Sequence, residues 1–334
     1  MTDEFALIDQ IRRRLQRRGE RVLRGPGDDA AVVRPDGVLV TSIDTFVEGV
    51  HFRLATTSLR DLGHKCLGAS LSDIAAVGAA PGEAYLALGL PPNVGERETL
   101  ELIEGAEELA AAVGATIGGG DLSTSNELFV TVTVTGHARS EDELVGRDGA
   151  QADQLVGCTG RLGGAAAGLI LLERKGHGLP VDVGERLIER QRRPRPLLEA
   201  GAALARAGVS AMIDLSDGLG SDAERLSEES QVALEVELSR LPLDEGVEVV
   251  GELRGLSGVD LGAGGGEDYE LLFTAPAGAR QSIESAAEGA GTTVTWIGKT
   301  RAGVGVRLLD DRGVAQKIGG WNHFAARTPG SASR

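Results

Sequence analysis

The sequence predicts a two-domain α/β chain, on three observations. Its 334 residues exceed the length at which one hydrophobic core usually stops growing. Helical and period-two apolar patterns alternate along it. Residues 146–152 turn polar and glycine-bearing before a new strand begins, which divides a first domain, 1–148, from a second, 149–327, with 328–334 expected to form a disordered tail.

In chain order, Phe5, Ile8, Ile11 and Leu15 recur at helical spacing and predict an amphipathic first helix, its arginine-rich outer face read as a solvated surface. Gly25-Pro26-Gly27-Asp28-Asp29 is a turn-rich loop, and residues 38–44 are a strand that ends in Asp44. Ser58 with Asp61 resembles a capping box. It opens a helix whose stripe Leu59, Leu62, Cys66 and Ala69 lands, four residues on, at Asp73. A helix over 96–113 stops at Gly114 and feeds a short strand running into Gly118, Gly119, Gly120 and Asp121. Val130, Val132 and Val134 alternate with Thr131, Thr133 and Thr135 as a strand with one face toward a core. Beyond the boundary come a strand at 155–158, helices over 163–174, 197–207 and 279–290, and strands at 211–213 and 269–274.

Composition removes several function classes. A formal charge of −16, from 34 basic and 50 acidic residues, would repel a polyanionic backbone and argues against nucleic acid as a partner. Cys66 and Cys158 lie in unrelated contexts, without metal or disulfide spacing, as suits a reducing compartment. No stretch approaches the roughly 18 apolar residues of a membrane span, and the start is acidic rather than basic, so the expectation is a cytoplasmic protein. The 49 glycines are about twice ordinary usage and fall in runs, pointing to loops that approach a ligand closely.

Asp28, Asp29, Asp44, Asp73, Asp121, Asp214 and Asp217 each follow a strand end, a glycine turn or a helix's buried face. Oxygen donors of this kind suit hard cations, and magnesium uses a few carboxylates together with substrate phosphates. Aspartates also cap helices and shape turns, so the pattern alone admits either role. Asp73 stands apart, because a charge on an apolar stripe is costly unless a cation or donor set offsets it. Glycine runs ending in an acidic residue, at 118–120 and 264–266, pair amides that approach phosphate with a carboxylate that holds its metal. Arg147 is the best phosphate-pairing cation, and His51 reads equally as a structural histidine or a substrate contact. Trp321 is a core residue or a stacking platform. No P-loop, kinase, G-x-S-x-G or H-E-x-x-H motif occurs.

Together, Gly27-Asp28-Asp29-Ala30-Ala31, Asp44 with Val47-Glu48-Gly49-Val50-His51-Phe52, Leu71-Ser72-Asp73-Ile74-Ala75-Ala76, Gly119-Gly120-Asp121, Asp214-Leu215-Ser216-Asp217-Gly218 and Gly265-Gly266-Glu267-Asp268-Tyr269-Glu270 closely resemble the thiamine-monophosphate kinases, over nearly the whole chain. The resemblance implies the two-domain fold of the aminoimidazole ribonucleotide synthetase superfamily, with an N-terminal sheet that dimerises and a C-terminal α/β domain. It implies phosphoryl transfer from ATP to thiamine monophosphate, giving thiamine diphosphate, in a homodimer. It also implies magnesium on Asp29, Ser42, Asp44, Asp73, Asp121, Asp214 and Asp217, with Asp73, Asp121 and Asp217 as the catalytic core. ATP contacts would fall to Gly120, Asp121, Arg147 and Ser216, and thiamine phosphate contacts to His51, Glu267 and Trp321. Ile43 departs from the family's usual threonine or serine before the aspartate. The acceptor, a phosphate monoester with a second pKa of about 6, needs no strong base, so direct in-line transfer is expected. A cyclo-ligase of the superfamily lacks the histidine segment and the E-D-Y-E run, while its selenophosphate and hydrogenase-maturation relatives require cysteines this chain lacks. A non-catalytic sensor would leave the acidic set unexplained.

Overall fold

The computed structural model describes residues 4–26, 30–174 and 178–320. Asp28, Asp29, Trp321 and the tail expected at 328–334 lie outside the described residues.

The first half runs α1 (Glu4–Arg14), β1 (Val22–Arg24), β2 (Val32–Val33), β3 (Val38–Val47), α2 (Leu59–Ala76), β4 (Ala80–Leu90), α3 (Glu96–Val113), β5 (Thr116–Thr124) and β6 (Phe129–Ala138). Strands β3, β6, β4 and β5 form one sheet in that order, antiparallel except for the β4–β5 pair. Val130, Val132 and Val134 are fully buried toward α2 and α3, so the alternation along β6 is the alternation of its two faces. Ser58 caps α2 by accepting the Asp61 amide, and Gly114, at φ 78°, ends α3. The basic run of the first helix is more than a solvated surface. Arg14 pairs with Glu104, Arg18 with Glu107 and Arg21 with the buried Glu83, which ties the N-terminal segment to α3 and β4.

The second half contains β7 (Leu155–Thr159), α4 (Gly164–Glu173), α5 (Val181–Arg192), α6 (Leu198–Ala207), β8 (Ala211–Asp214), α7 (Leu219–Ser230), β9 (Val232–Glu237), α8 (Val247–Glu252), α9 (Gly258–Gly264), β10 (Leu271–Ala275), α10 (Arg280–Gly289), β11 (Val294–Ala302), β12 (Gly305–Leu309) and β13 (Ala315–Gln316). Its seven strands lie in the order β13-β12-β9-β11-β7-β10-β8. One face packs on a core that includes Leu219 and Leu226 of α7, and the other on Leu204 of α6 with Ile283 and Ala287 of α10. Helix α2 joins the halves, packing against β3 and β6 on one side and against α6 and β8 on the other. Tyr269 and Leu198, both from the second half, are buried in the core of the first.

Candidate active site

The site grows from α2 and the strand beneath it. Along β3 the side chains alternate, so Ser42 and Asp44 turn toward α2 while Leu39, Ile43 and Thr45 turn away. Ser42 donates its hydroxyl to Asp73 Oδ2 at 2.5 Å. One residue back on α2, the buried Ser72 donates to Asp214 Oδ2 at 2.8 Å, and Asp214 is the last residue of β8. Strand β3 runs on to Val47, so Asp44 lies inside it rather than at its end as the sequence suggested, and α2 thus joins the middle of a strand from the first half to a strand end from the second. Burial first, then the Asp73 charge, push the Asp44 carboxyl up to about 6, with Ser70 pulling the other way. Burial and Asp73 likewise push Asp214 upward, against the opposing pull of Ser72 and Arg147. The donors are all oxygen, and the carboxylates bear a desolvation cost that a hard cation would relieve, so the residues fit magnesium. Among the described residues, no three acidic, histidine or cysteine side chains are already gathered around one point. Magnesium's octahedral shell accommodates that spacing through waters and phosphate oxygens. Ile43 is 64% exposed on the opposite face, so a side-chain oxygen there would point away from α2.

Two loops of the second half close against this helix. The loop after β8 holds Ser216 and Asp217. Its backbone pairs with the segment before β10, Glu267 N donating to Ser216 O at 2.8 Å and Tyr269 N to Leu215 O at 2.9 Å. Asp217 accepts from Arg225 at 2.5 Å, while its amide donates to Asp222 Oδ2 at 3.0 Å. Asp222 is fully buried, which pushes its carboxyl up to about 7 against the stabilising pull of that amide. Glu267 and Tyr269 both adopt left-handed backbone, at φ 68° and 51°, which side-chain-bearing residues hold only when their surroundings fix them. Glu267 accepts from Lys65 Nζ and Gln191 Nε2, each at 2.7 Å. Asp268 accepts the amides of Gly163 and Ala165, and Arg190 lies beside Asp244, Asp268 and Glu270.

The remaining sequence candidates are dispersed. The run Gly118, Gly119 and Gly120 is not a loop: it lies inside β5, at the sheet edge, paired in parallel with β4. A Cβ on Gly120 would come within 2.0 Å of the Leu86 carbonyl oxygen, so close strand packing accounts for glycine there. The register puts Gly120 in one row with Leu86, Val132 and Asp44, on the helix-covered face. Asp121 falls in the next row, with Ala87, Thr131 and Thr45, on the open face, and is exposed. A single chain therefore does not bring Asp121 together with Asp44 and Asp73. The Nδ1 atom of His51 accepts the Val47 amide at 3.0 Å, just past the end of β3. Arg147 is exposed, and its charge reaches Asp214.

Models of the AIR synthase related protein family match this chain twice, its N-terminal domain at residues 27–138 and its C-terminal domain at 152–311. The thiamine-monophosphate kinase of Bacillus subtilis is 32% identical over 330 residues, covering 96% of this chain and 99% of the relative. The chain belongs to the thiamine-monophosphate kinase family. The Haemophilus influenzae thiamine-monophosphate kinase is 37% identical over 279 residues, or 82% of this chain and 81% of the relative. Among solved structures, the thiamine-monophosphate kinase of Stenotrophomonas maltophilia aligns with a TM-score of 0.81 at 36% identity, over 94% of this chain and 98% of that one. AaThiL complexed with AMPPCP and TMP aligns at 0.77 and 30% identity, over 96% and 97%. The Escherichia coli hydrogenase maturation protein HypE, at 18% identity and a TM-score of 0.74, shares the fold over 94% of this chain and 96% of that one.

For a thiamine-monophosphate kinase, the polar residues that sequence reasoning missed are those behind the acidic loops: Lys65, Arg190, Gln191, Asp222 and Arg225. Lys65 carried the one usable signal, a lysine directly before Cys66 of the apolar stripe. Arg190 and Gln191 pair with residues distant in sequence, whereas Asp222 and Arg225 pair with the nearby Asp217 on a mostly polar helix that gives no apolar stripe to read.

Proposed function

We infer that this chain phosphorylates thiamine monophosphate to thiamine diphosphate at the expense of ATP, within the cytoplasm and as a homodimer whose domains are residues 1–148 and 149–327. The observation that carries this reading is the α2 junction. Ser42 bonds Asp73 within the first half, with the Asp44 carboxyl close enough to feel the Asp73 charge, and Ser72 of the same helix bonds Asp214 of the second half, in a chain of this family. Magnesium would be held by Ser42, Asp44, Asp73 and Asp214, with Asp29, Asp121 and Asp217 completing the set. When bound, it supplies charge neutralisation for two mutually repelling phosphates. Gly120, Asp121, Arg147 and Ser216 contact the nucleotide, and His51, Glu267 and Trp321 the thiamine phosphate.

The acceptor phosphate is largely ionised near neutral pH, so the side chains orient the reactants and exclude water rather than remove a proton. Asp217, backed by Arg225 and Asp222, lies on the same loop as Ser216, which suits a loop that fixes the donor phosphates. Transfer is direct and in line. The decisive assay is ADP release with magnesium and ATP, offering thiamine monophosphate, thiamine or a formylglycinamidine ribonucleotide, with thiamine diphosphate identified directly. Turnover on thiamine monophosphate alone is expected. Activity on the ribonucleotide instead would overturn the substrate assignment, and a kinetically competent labelled phosphoenzyme would overturn direct transfer.

A further inference from the structure

Lys65 is one of four lysines in the chain and is 3% exposed, on a helix where the buried His64, Cys66 and Leu67 stand beside it. A buried ammonium persists only beside a compensating charge. That charge is Glu267, from the other half of the molecule, at 2.7 Å. The Glu267 carboxylate is itself only partly buried, its side chain 27% exposed, so it keeps an open side while Lys65 grips one oxygen and Gln191 the other. Its backbone is left-handed, as is that of Tyr269 two residues on, whose ring is buried in the first half's core. Two left-handed residues, a buried ring, an ion pair and a side-chain amide bond all act on one short segment. That is more restraint than a linker between α9 and β10 requires, and it leaves one carboxylate fixed in direction.

We propose that Lys65 is a positioning residue for the acceptor: with Gln191 it holds the Glu267 carboxylate in the orientation that receives thiamine monophosphate, and it links that carboxylate to the helix that carries Asp73. Lys65 and Asp73 are eight residues apart on one rigid helix, about 12 Å along its axis. The metal-side carboxylate and the acceptor-side carboxylate are thereby referred to a single element, although they belong to different halves of the molecule. The proposal rests on the reading of Glu267 as an acceptor contact.

The test is steady-state kinetics of the full-length enzyme with Lys65→Met, Lys65→Arg, Glu267→Gln and the Lys65→Met/Glu267→Gln double variant, varying thiamine monophosphate and ATP separately. Lys65→Met is expected to raise KM for thiamine monophosphate roughly ten-fold while KM for ATP stays within about two-fold, and Lys65→Arg to recover most of that loss. In the Glu267→Gln background, Lys65→Met should add less than about two-fold, because its effect passes through that carboxylate. Equal shifts in both KM values, or a full additional loss in the double variant, would overturn the proposal and leave Lys65 as an interdomain fastener. Should Lys65→Met not fold, Gln191→Leu frees the other carboxylate oxygen and should raise KM for thiamine monophosphate alone by a few-fold; no change there also overturns it. A wild-type enzyme inactive on thiamine monophosphate would overturn the functional reading itself. Normal wild-type turnover with an undivided KM effect would overturn only the role of Lys65.

Discussion

At Asp44, ionisation works against the fold. Its carboxyl is raised to about 6 from 3.8 by burial and by Asp73, so the folded chain holds that proton more tightly than the unfolded one. The resulting stability is present below pH 4 and is lost as pH rises through 6, a cost of at most about 3 kcal/mol at pH 8. Asp44→Asn is therefore expected to raise the melting temperature of the metal-free protein at pH 8, to leave it nearly unchanged at pH 4, and to remove activity. Thermal unfolding in a chelator checks this, and a destabilised variant at pH 8 would show that the charge is compensated by something other than a cation. The same logic predicts that magnesium raises the wild-type melting temperature more at pH 8 than at pH 5, because protons compete for its carboxylates. Equal shifts at the two values would remove Asp44 from the metal shell. Asp73→Asn should lower turnover by at least about a thousand-fold while the circular dichroism spectrum stays native, since the residue is half-buried and carries its cost for the ligand's sake.

Helices α2 and α3 approach so closely that each needs a glycine at the crossing. A Cβ on Gly63 would lie 1.9 Å from the Leu102 carbonyl oxygen, and one on Gly105 would lie 1.8 Å from that of Arg60. Gly105→Ala is expected to cost about 1–3 kcal/mol in urea unfolding through forced separation of the helices. Because α2 holds Ser42 and Asp214 by hydroxyl bonds, turnover should fall further than stability alone explains; a silent substitution would show that the pair has slack. These two helices were legible because stripe and caps agree: Ser58 opens one and Gly114 closes the other. Strand β4 was not, although it is central, because Pro81, Gly82 and Gly89 read as turn residues and its register slips between Pro81 and Ala84. Helix α7 hid for the opposite reason, its run Leu219–Ser230 being mostly polar, with Leu219, Ala223 and Leu226 as its buried apolar contacts. In the site, Asp214 announced itself as a charge at a strand end and Asp73 as one on an apolar stripe, while Asp44 stood out as a charge in a strand that runs three residues beyond it. The grip of Lys65 on Glu267 did not, since nothing local in either segment refers to the other. The placement of Asp121 on the open face was equally hidden, because one residue of register decides it.

For the whole molecule, the unsettled surface is the far side of the four-stranded sheet. Among the described residues the helices cover one face, and the other presents Leu39 and Ile43, at 62% and 64% exposure, among Thr41, Thr45, Thr131 and Thr133. Apolar side chains and β-branched threonines on an open, regular sheet face form a surface that a second sheet can cover. A two-fold pairing of this face with itself would bury those residues and would carry Asp121, which lies in the same face, into the interface. Ile43→Asp places a charge at the centre of the patch without touching the α2 side, where Ser42 and Asp44 sit. Sedimentation velocity is expected to show a dimer for the wild type and a monomer for Ile43→Asp, with a melting temperature within a few degrees once the two are compared at low concentration. If Asp121 serves the nucleotide and its metal, the monomeric variant should also lose turnover although its α2 junction is intact. A fully active monomer would separate the open face from catalysis and return Asp121 to the role of a surface carboxylate, while a dimer that survives the substitution would place the contact elsewhere on the chain.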